Sequence, residues 1–187
     1  MRRNIVIAKK AISADLCNLI VETGKKITFE RAQTGNGEDP VNRKSSISWL
    51  NGSMRYLEIY QPIQSLINEV NSKFYYFDLT ELEPFQITKY HEKNQGYYKP
   101  HIDGLYDNVP KGNYVRKLSL SIQLSNPENY EGGTFEFPDD EEKFILDDSM
   151  EQGTAIFFPS YMEHGVKPVT KGTRYSLVVW TGGPSFI

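Results

Sequence analysis

Two histidines and one carboxylate in this chain have the types and the spacing of a metal site. One residue separates His101 from Asp103, and His164 lies far downstream. Residues i and i+2 of a β-strand point to the same side, so one strand end could present His101 and Asp103 to a single ion. Two histidines and a carboxylate are the ligand set that holds a non-heme Fe(II) on one face and leaves the other face open. The spacing therefore predicts an iron site built from two parts of the chain.

An arginine near the second histidine predicts what would occupy the open face. Arg174 begins the largely apolar run 174–180. A guanidinium that faces inward from such a strand needs an anionic partner, and its planar fork suits a carboxylate. Three protein ligands leave three positions on an octahedral iron, of which a 2-oxoacid fills two and dioxygen the third. We therefore expect Arg174 to bind the distal carboxylate of 2-oxoglutarate, with the Ser176 hydroxyl on the same strand face.

The composition is that of an ordinary soluble domain. The 187 residues are 39% hydrophobic and 24% charged, with a net charge of −3, so we expect neither a nucleic-acid surface nor a membrane segment. Cys17 is the single cysteine, which excludes an internal disulfide, and its apolar helical surroundings predict a core residue. The apolar start is too short for a signal peptide. We expect a cytoplasmic protein, and the sequence leaves its oligomeric state open.

The first part of the chain predicts two helices that would support the site. After a strand at 5–8, Ser13 is a plausible cap for a helix that stops at Gly24. A second helix is expected at 62–74, with Pro62 in its first turn. The polar segment 33–44 is predicted to be a loop. We interpret residues 1–83 as a helical support region.

From residue 84 onward the pattern changes to short apolar runs separated by turn residues. The predicted strands are 85–91, 97–102, 116–124, 133–137, 154–158, 165–168 and 173–181. Many short strands at this spacing are typical of a sandwich or barrel, and helices that precede them favour packing on one face of the β unit. We predict a single domain over 1–187 that is mainly β with N-terminal helices, with the catalytic core at 84–187.

The segment from about 85 to 180 resembles the catalytic core of the Fe(II)/2-oxoglutarate-dependent dioxygenases, in particular the prolyl 4-hydroxylase-like branch and its PKHD-type hydroxylases. The matching segments are 90, 96–103, 116–125, 130–135, 153–159, 164–169 and 172–177. The resemblance implies a double-stranded β-helix, which is a cupin-like jelly roll, with supporting N-terminal helices. It also implies Fe(II), O2 and 2-oxoglutarate, with ascorbate as a reductant.

The resemblance also assigns the principal site residues. His101, Asp103 and His164 match the iron ligands of the family, and Arg174 matches the basic residue that binds 2-oxoglutarate. The vertebrate collagen enzymes of this branch carry lysine at the Arg174 position. Arginine is typical of the PKHD and oxygen-sensing side.

Three further positions match residues around the cosubstrate pocket. Tyr90 matches a tyrosine that lines this pocket, and Trp180 matches an aromatic residue near its floor. Gln123 stands where some prolyl hydroxylases carry a tyrosine that touches the distal carboxylate. Because a glutamine amide can donate a hydrogen bond, we expect Gln123 to take over that contact.

Several residues near these motifs have less specific patterns. His91 lies on the alternate face of the Tyr90 strand and is interpreted as structural or exposed. Tyr97 and Tyr98 face opposite ways, so one of them is expected in the pocket. Trp49 fits either the substrate groove or the core. The loop at 106–115 follows two of the predicted ligands and is a candidate lid.

Three functions remain open from the residues alone. The favoured one is a hydroxylase that converts 2-oxoglutarate to succinate and CO2 while it hydroxylates an unactivated C–H bond, with a prolyl side chain, peptidyl or free, as the preferred target. Its partner would be a peptide, a protein or a small amino acid. A zinc hydrolase could use the same ligands, but Glu163 is expected to point away and Arg174 would have no role. A non-catalytic jelly-roll binding module is the third, and the intact ligand triad argues against it.

Overall fold

The computed structural model describes residues 4–32, 39–103, 114–138, 144–145 and 150–185, which are mainly β. The helices of this part are α1 (Ala14–Lys26) and α2 (Leu57–Val70). Its strands are β1 (Val6–Ala8), β2 (Glu30–Arg31), β3 (Arg43–Lys44), β4 (Ser46–Leu50), β5 (Glu81–Leu82), β6 (Phe85–His91), β7 (Tyr97–His101), β8 (Tyr114–Gln123), β9 (Tyr130–Gly132), β10 (Phe135–Phe137), β11 (Phe144–Ile145), β12 (Ala155–Pro159), β13 (His164–Val166) and β14 (Val169–Pro184).

The strands of the described ranges form two antiparallel sheets. The larger has the order β1-β12-β8-β14-β6-β4-β2, with β5 and β9 also paired to β14. The smaller has the order β11-β10-β13-β7-β3. Strands β1 to β5 all precede residue 84, so the part of the chain predicted as helical support also contributes strands to both sheets.

The larger sheet separates two apolar layers. One layer lies between this sheet and the helices, where α1 and α2 pack on the outward side chains of β6, β8, β12 and β14. The other lies between the two sheets and is built around Phe135, Phe137, Phe158 and Val166. Because side chains alternate along a strand, residues of one strand contribute to both layers in turn.

Helix α1 begins as predicted but ends later. The Ser13 side chain accepts a hydrogen bond from the Leu16 amide at 3.2 Å, which is the expected cap. Gly24 does not stop the helix, which continues to Lys26. A Cβ at Gly24 would lie 2.8 Å from Ile87 Cδ1, so the glycine lets α1 pack closely on β6 without a shift of that side chain. Cys17 is fully buried, as predicted.

The predicted start of the second helix was wrong. Helix α2 begins at Leu57, places Pro62 in its interior, and passes into a π-helical turn at Asn71–Tyr75. A proline inside a helix leaves the carbonyl four residues earlier without its amide partner, and that residue here is the exposed Glu58, where water can replace the bond. No helix in the described part of the chain is long and apolar enough to span a membrane.

The predicted strands differ from the structure mainly at turns. The 85–91 prediction matches β6. The predicted strand 133–137 is shorter in the structure, where β10 begins at Phe135, because Gly132 and Gly133 adopt positive φ angles of 75° and 69° and end β9 before it. Strand β14 extends beyond 173–181 in both directions because it also pairs with β9 and β5.

The candidate lid falls outside the residues that the structure describes. Only Tyr114 and Val115 of the 106–115 segment are described, and they lie at the start of β8. Of the predicted loop at 33–44, the described end contains β3, which pairs with β7.

Candidate metal and cosubstrate site

The two histidines meet because the smaller sheet pairs their strands. His101 ends β7 and His164 begins β13, and these residues are direct partners in the antiparallel register. Asp103 follows β7 and turns back toward both rings. Its carboxylate oxygens lie 3.7 Å from His101 Nε2 and 3.4 Å from His164 Nε2. All three ligand atoms lie within 4.8 Å of one another, which suits a single ion held on one face.

Both histidine rings are oriented by the same backbone device. His101 Nδ1–H donates to the Lys99 carbonyl at 2.9 Å, and His164 Nδ1–H donates to the Met162 carbonyl at 3.0 Å. Since a carbonyl only accepts, each Nε2 is left with a lone pair directed at the site. Burial, aided by the neighbouring His164, lowers the pKa of His101 to about 4. The His101 ring is therefore neutral at physiological pH, as a metal ligand must be.

Asp103 is held by hydrogen bonds from two elements. The Ser119 hydroxyl donates to the Asp103 carboxylate at 2.8 Å. The backbone amide of Asp103 donates to the Ser160 carbonyl at 3.0 Å. Burial alone would raise the pKa of Asp103, but His164 and His101 outweigh that effect and hold the pKa below its usual value. The carboxylate is therefore ionised and fixed before any cation binds.

Arg116 supports the same segment from β8. Its guanidinium makes two contacts of 2.6 Å with the Glu83 carboxylate, lies 4.2 Å from the Trp180 ring centre, and donates to the Asp103 carbonyl at 3.4 Å. Sequence reasoning did not single out Arg116, because its partners come from distant parts of the chain.

Arg174 is the most unusual buried group of the described structure. It is 1% exposed, and none of its three guanidinium nitrogens has a hydrogen-bond partner among the described residues. Gly133 makes the room, because a Cβ there would lie 2.8 Å from Arg174 Cδ. A buried cation without a partner costs several kcal/mol, on the order of the penalty for breaking a buried ion pair. Such an arrangement indicates a site for an anionic ligand.

A cavity of about 420 Å3 lies between the sheets. Tyr90 and Ser176 line it together with all three candidate ligands. The Arg174 guanidinium lies 5.7 Å from the Tyr90 ring centre. Arg174 is not itself among the lining residues, and Tyr90, which is, connects it to the cavity that holds the three candidate ligands.

Gln123 does not have the role expected for it. Its amide nitrogen donates to the Ser125 carbonyl at 3.0 Å and to the Tyr130 hydroxyl at 2.8 Å. Both N–H groups are thus used internally, and only the amide oxygen is left, which cannot bind a carboxylate. Tyr130 accepts this hydrogen bond, so its own hydroxyl proton is left for another acceptor, and its ring packs beside Gly133.

The structure distinguishes the aromatic residues that line the cavity from the one that does not. The Tyr98 ring stacks on His101 at 3.5 Å and lines the cavity, whereas the Tyr97 hydroxyl donates to the Pro40 and Val41 carbonyls outside it. Trp49 and Trp180 both line the cavity, with ring centres 6.2 Å apart.

The third histidine, His91, has a structural role. Its ring nitrogen accepts a hydrogen bond from the Lys93 amide at 3.0 Å and caps the short turn Glu92–Asn94. It does not line the cavity.

Comparison with known proteins places the chain in a family. Residues 85–182 match the family model described as the 2OG-Fe(II) oxygenase superfamily. PKHD-type hydroxylase YbiX from Shigella sonnei (strain Ss046) is 26% identical over 132 residues, and its counterpart from Escherichia coli O1:K1 / APEC is 27% identical over 132 residues. Each match covers 65% of this chain but only 55% of the relative, so the similarity spans about half the length of these proteins.

Solved structures share the fold. The viral collagen prolyl hydroxylase from Paramecium Bursaria Chlorella virus-1, in its 2OG complex, has a TM-score of 0.74 at 24% identity and covers 97% of both chains. A Pseudomonas putida prolyl-4-hydroxylase has a TM-score of 0.73 at 17% identity, covering 100% of this chain and 95% of its own. With the family match over more than half of the chain, these findings show that the protein belongs to the 2OG-Fe(II) oxygenase superfamily.

Proposed function

We propose that the protein is an Fe(II)- and 2-oxoglutarate-dependent dioxygenase that hydroxylates an unactivated C–H bond on a double-stranded β-helix frame. The preferred target is a prolyl side chain, peptidyl or free, and the other products are succinate and CO2. The observation that carries the proposal is the unpartnered guanidinium of Arg174, which faces Tyr90 in the wall of the cavity that the His101, Asp103 and His164 triad lines. Prolyl hydroxylases among the structural relatives, one of them solved with a hypoxia inducible factor peptide fragment, support the choice of target.

The side chains of this chain fit the required groups. Two imidazoles and the Asp103 carboxylate would hold Fe(II), and the bound iron and cosubstrate would supply the oxidative chemistry. Arg174 would pair with the distal carboxylate of 2-oxoglutarate, with hydroxyl groups of Ser176 and Tyr130 close by. The aromatic side chains of Phe135 and Phe158 pack against His164 at ring-centre distances of 5.5 and 4.5 Å and keep water from that side of the site.

The cavity does not favour hydrolysis. Among the described residues that line it, Asp103 is the only carboxylate, and it is needed as a ligand. Glu163 adjoins His164 in sequence but does not line the cavity. A zinc hydrolase would lack a general base among these residues and would leave Arg174 without a partner.

The function is tested with anaerobic protein mixed with Fe(II) and 2-oxoglutarate. We expect a weak visible charge-transfer band, followed by succinate formation when oxygen is added. Bound metal with no band and no succinate would contradict the proposal. The target is tested by offering proline-rich peptides and free amino acids and measuring a mass gain of one oxygen.

Arg174→Ala separates the cosubstrate role from the metal role. The 2-oxoglutarate requirement should rise by about 10-fold to 100-fold or more, because hydrogen bonds to charged groups contribute about 1.5–3 kcal/mol. Iron binding should be nearly unchanged. Lys171→Ala removes an exposed cation from the same strand and is the matched control. Equal loss of iron and cosubstrate in Arg174→Ala would show that the assigned roles are wrong.

A further inference from the structure

A second buried arginine, Arg43, lines the same cavity. It lies on β3, and its side chain is held at two points: Nε donates to Ser45 Oγ at 2.8 Å, and Nη2 donates to Gln86 Oε1 at 2.9 Å. The guanidinium carbon lies 4.4 Å from the Tyr98 ring centre, and that ring stacks on His101. One aromatic ring therefore separates a fixed guanidinium from a candidate iron ligand.

The positive charge of Arg43 is not cancelled within the described structure. Its two hydrogen-bond acceptors are a neutral hydroxyl and a neutral amide, and no ion pair joins it to any carboxylate of the described residues. Arg116, which also lines the cavity, is paired with Glu83. Burial of an uncompensated guanidinium is unfavourable, so a cation held in this way indicates an anion that arrives with a ligand.

When Fe(II) and 2-oxoglutarate are bound, the charges of the site cancel without Arg43, whose positive charge is then left over. In the function proposed above, the divalent iron and Arg174 carry three positive charges. Asp103 and the two carboxylates of 2-oxoglutarate carry three negative charges, while both histidines coordinate as neutral rings. The cosubstrate therefore has no carboxylate left for Arg43. One negative charge on the substrate would complete the balance of charge in the cavity.

We propose that Arg43 binds a carboxylate of the substrate and so selects substrates that carry one close to the carbon that is hydroxylated. This inference rests on the proposed function. The carboxylate belongs either to a free amino acid or to an acidic residue next to the target in a peptide, and the chemistry of recognition is the same. Ser45 and Gln86 orient the guanidinium in advance, which reduces the ordering cost of binding.

The chain contains its own probe for this test. Its two tryptophans, Trp49 and Trp180, both line the cavity, so their fluorescence reports on ligands that enter it. The protein is loaded with Fe(II) and 2-oxoglutarate under argon and titrated with matched acid and amide pairs. The pairs are L-proline and L-prolinamide, N-acetyl-L-proline and N-acetyl-L-prolinamide, and proline-containing tripeptides with Glu or Gln beside the proline.

In at least one pair the acid should bind about 10-fold to 100-fold more tightly than the amide, since a hydrogen-bonded charge contributes about 1.5–3 kcal/mol. Arg43→Gln should bring this ratio close to one, and Arg43→Lys should keep part of it. Lys44→Gln removes the neighbouring exposed cation of β3 and should keep the full ratio. A ratio within one variant is insensitive to a partial loss of folded protein.

The proposal is overturned if no pair favours the acid, if no pair alters the fluorescence, or if the ratio survives Arg43→Gln. A preference in the first two pairs identifies a free amino acid, and a preference in the tripeptides alone identifies an acidic peptide. Succinate formation by the wild-type protein without any probe reports separately on the proposed function, because the affinity ratio is measured without turnover.

Discussion

The two faces of strands β8 and β14 are both buried, but the buried polar residues of these strands are concentrated on one of them. Toward the helices these strands present Leu118, Leu120, Ile122, Leu177 and Val179, all of them at most 1% exposed. Toward the smaller sheet the same strands present the apolar Val178 and Trp180, but also a set of polar residues that are at most 4% exposed: Ser119, Ser121, Gln123, Arg174 and Ser176. Burial of apolar groups stabilises the fold, whereas burial of polar groups does so only when they are paired.

The difference extends to the hydrogen bonding of the buried polar groups on β8 and β14. Arg174 and the Gln123 amide oxygen lie on the face toward the smaller sheet without complete hydrogen bonding. Each unsatisfied buried group costs about 1–3 kcal/mol, and more when it is charged. One face of the sheet therefore stabilises the domain, and the other is organised for ligands at the expense of stability.

The largest expected effect is the loss of the metal on the cavity face. His164→Ala removes a ligand, so Fe(II) binding should weaken by more than about 100-fold, the upper end of the effect seen when only an outer hydrogen-bond partner is removed. Binding is measured by titration with Fe(II) under argon, and turnover should be lost with it. His91→Ala deletes a histidine outside the cavity and should retain the metal. Similar losses in both variants would contradict the assignment.

The two faces can be compared at neighbouring residues of one strand. Leu120→Ala should reduce the free energy of unfolding by about 2–5 kcal/mol, because it leaves a cavity in the helix-facing layer. Ser121→Ala, on the opposite face of β8, should change it by less than about 1 kcal/mol. Urea unfolding of the metal-free protein measures both. Equal losses would mean that both faces contribute alike to stability.

Arg174→Met should increase the free energy of unfolding, whereas most substitutions of buried residues reduce it. It removes an unpaired buried charge at similar volume, so the metal-free protein should become more stable by about 1–4 kcal/mol, as when buried ions are replaced by apolar residues. Thermal unfolding measures the change. Arg116→Met is the control and should destabilise the protein, because Glu83 would lose its partner. A less stable Arg174→Met protein would show that the guanidinium is satisfied without a ligand.

The smallest effect concerns Cys17, on the helix-facing layer. Burial raises the pKa of its thiol to about 11, against an ordinary value of 9.0. At pH 8 the thiol is therefore protonated, and since only the thiolate reacts, iodoacetamide should modify the native protein very slowly. Mass spectrometry should show rapid modification after unfolding in urea. Fast labelling of the native protein would show that this layer opens readily.

Local patterns predicted the parts of the molecule in which neighbouring residues decide the outcome. The alternation of 85–91 predicted β6 with its observed bounds, and Ser13 was identified as the cap of α1 from residue type alone. Gly24 and Pro62 were misleading, since both are also typical of helix ends. Gly24 lies inside α1 because it packs against the Ile87 side chain. Pro62 is tolerated inside α2 because the carbonyl that it leaves without a partner belongs to Glu58, which is exposed to water.

The sequence by itself determined the ligand types, the spacing of His101 and Asp103, and the alternation that gives the larger sheet an apolar and a polar face. The alternation concerned is that of β8 and β14, whose polar residues share one face of the sheet with apolar ones, and all three depend on residue identity and on the fixed geometry of a strand. Only the tertiary structure decided that the Gln123 amide donates to the Tyr130 hydroxyl and that Arg116 forms an ion pair with Glu83. It also decided that Arg43 lines the cavity without a carboxylate partner among the described residues. Pairing and its absence depend on residues that are distant in the chain and become neighbours only when the two sheets face each other.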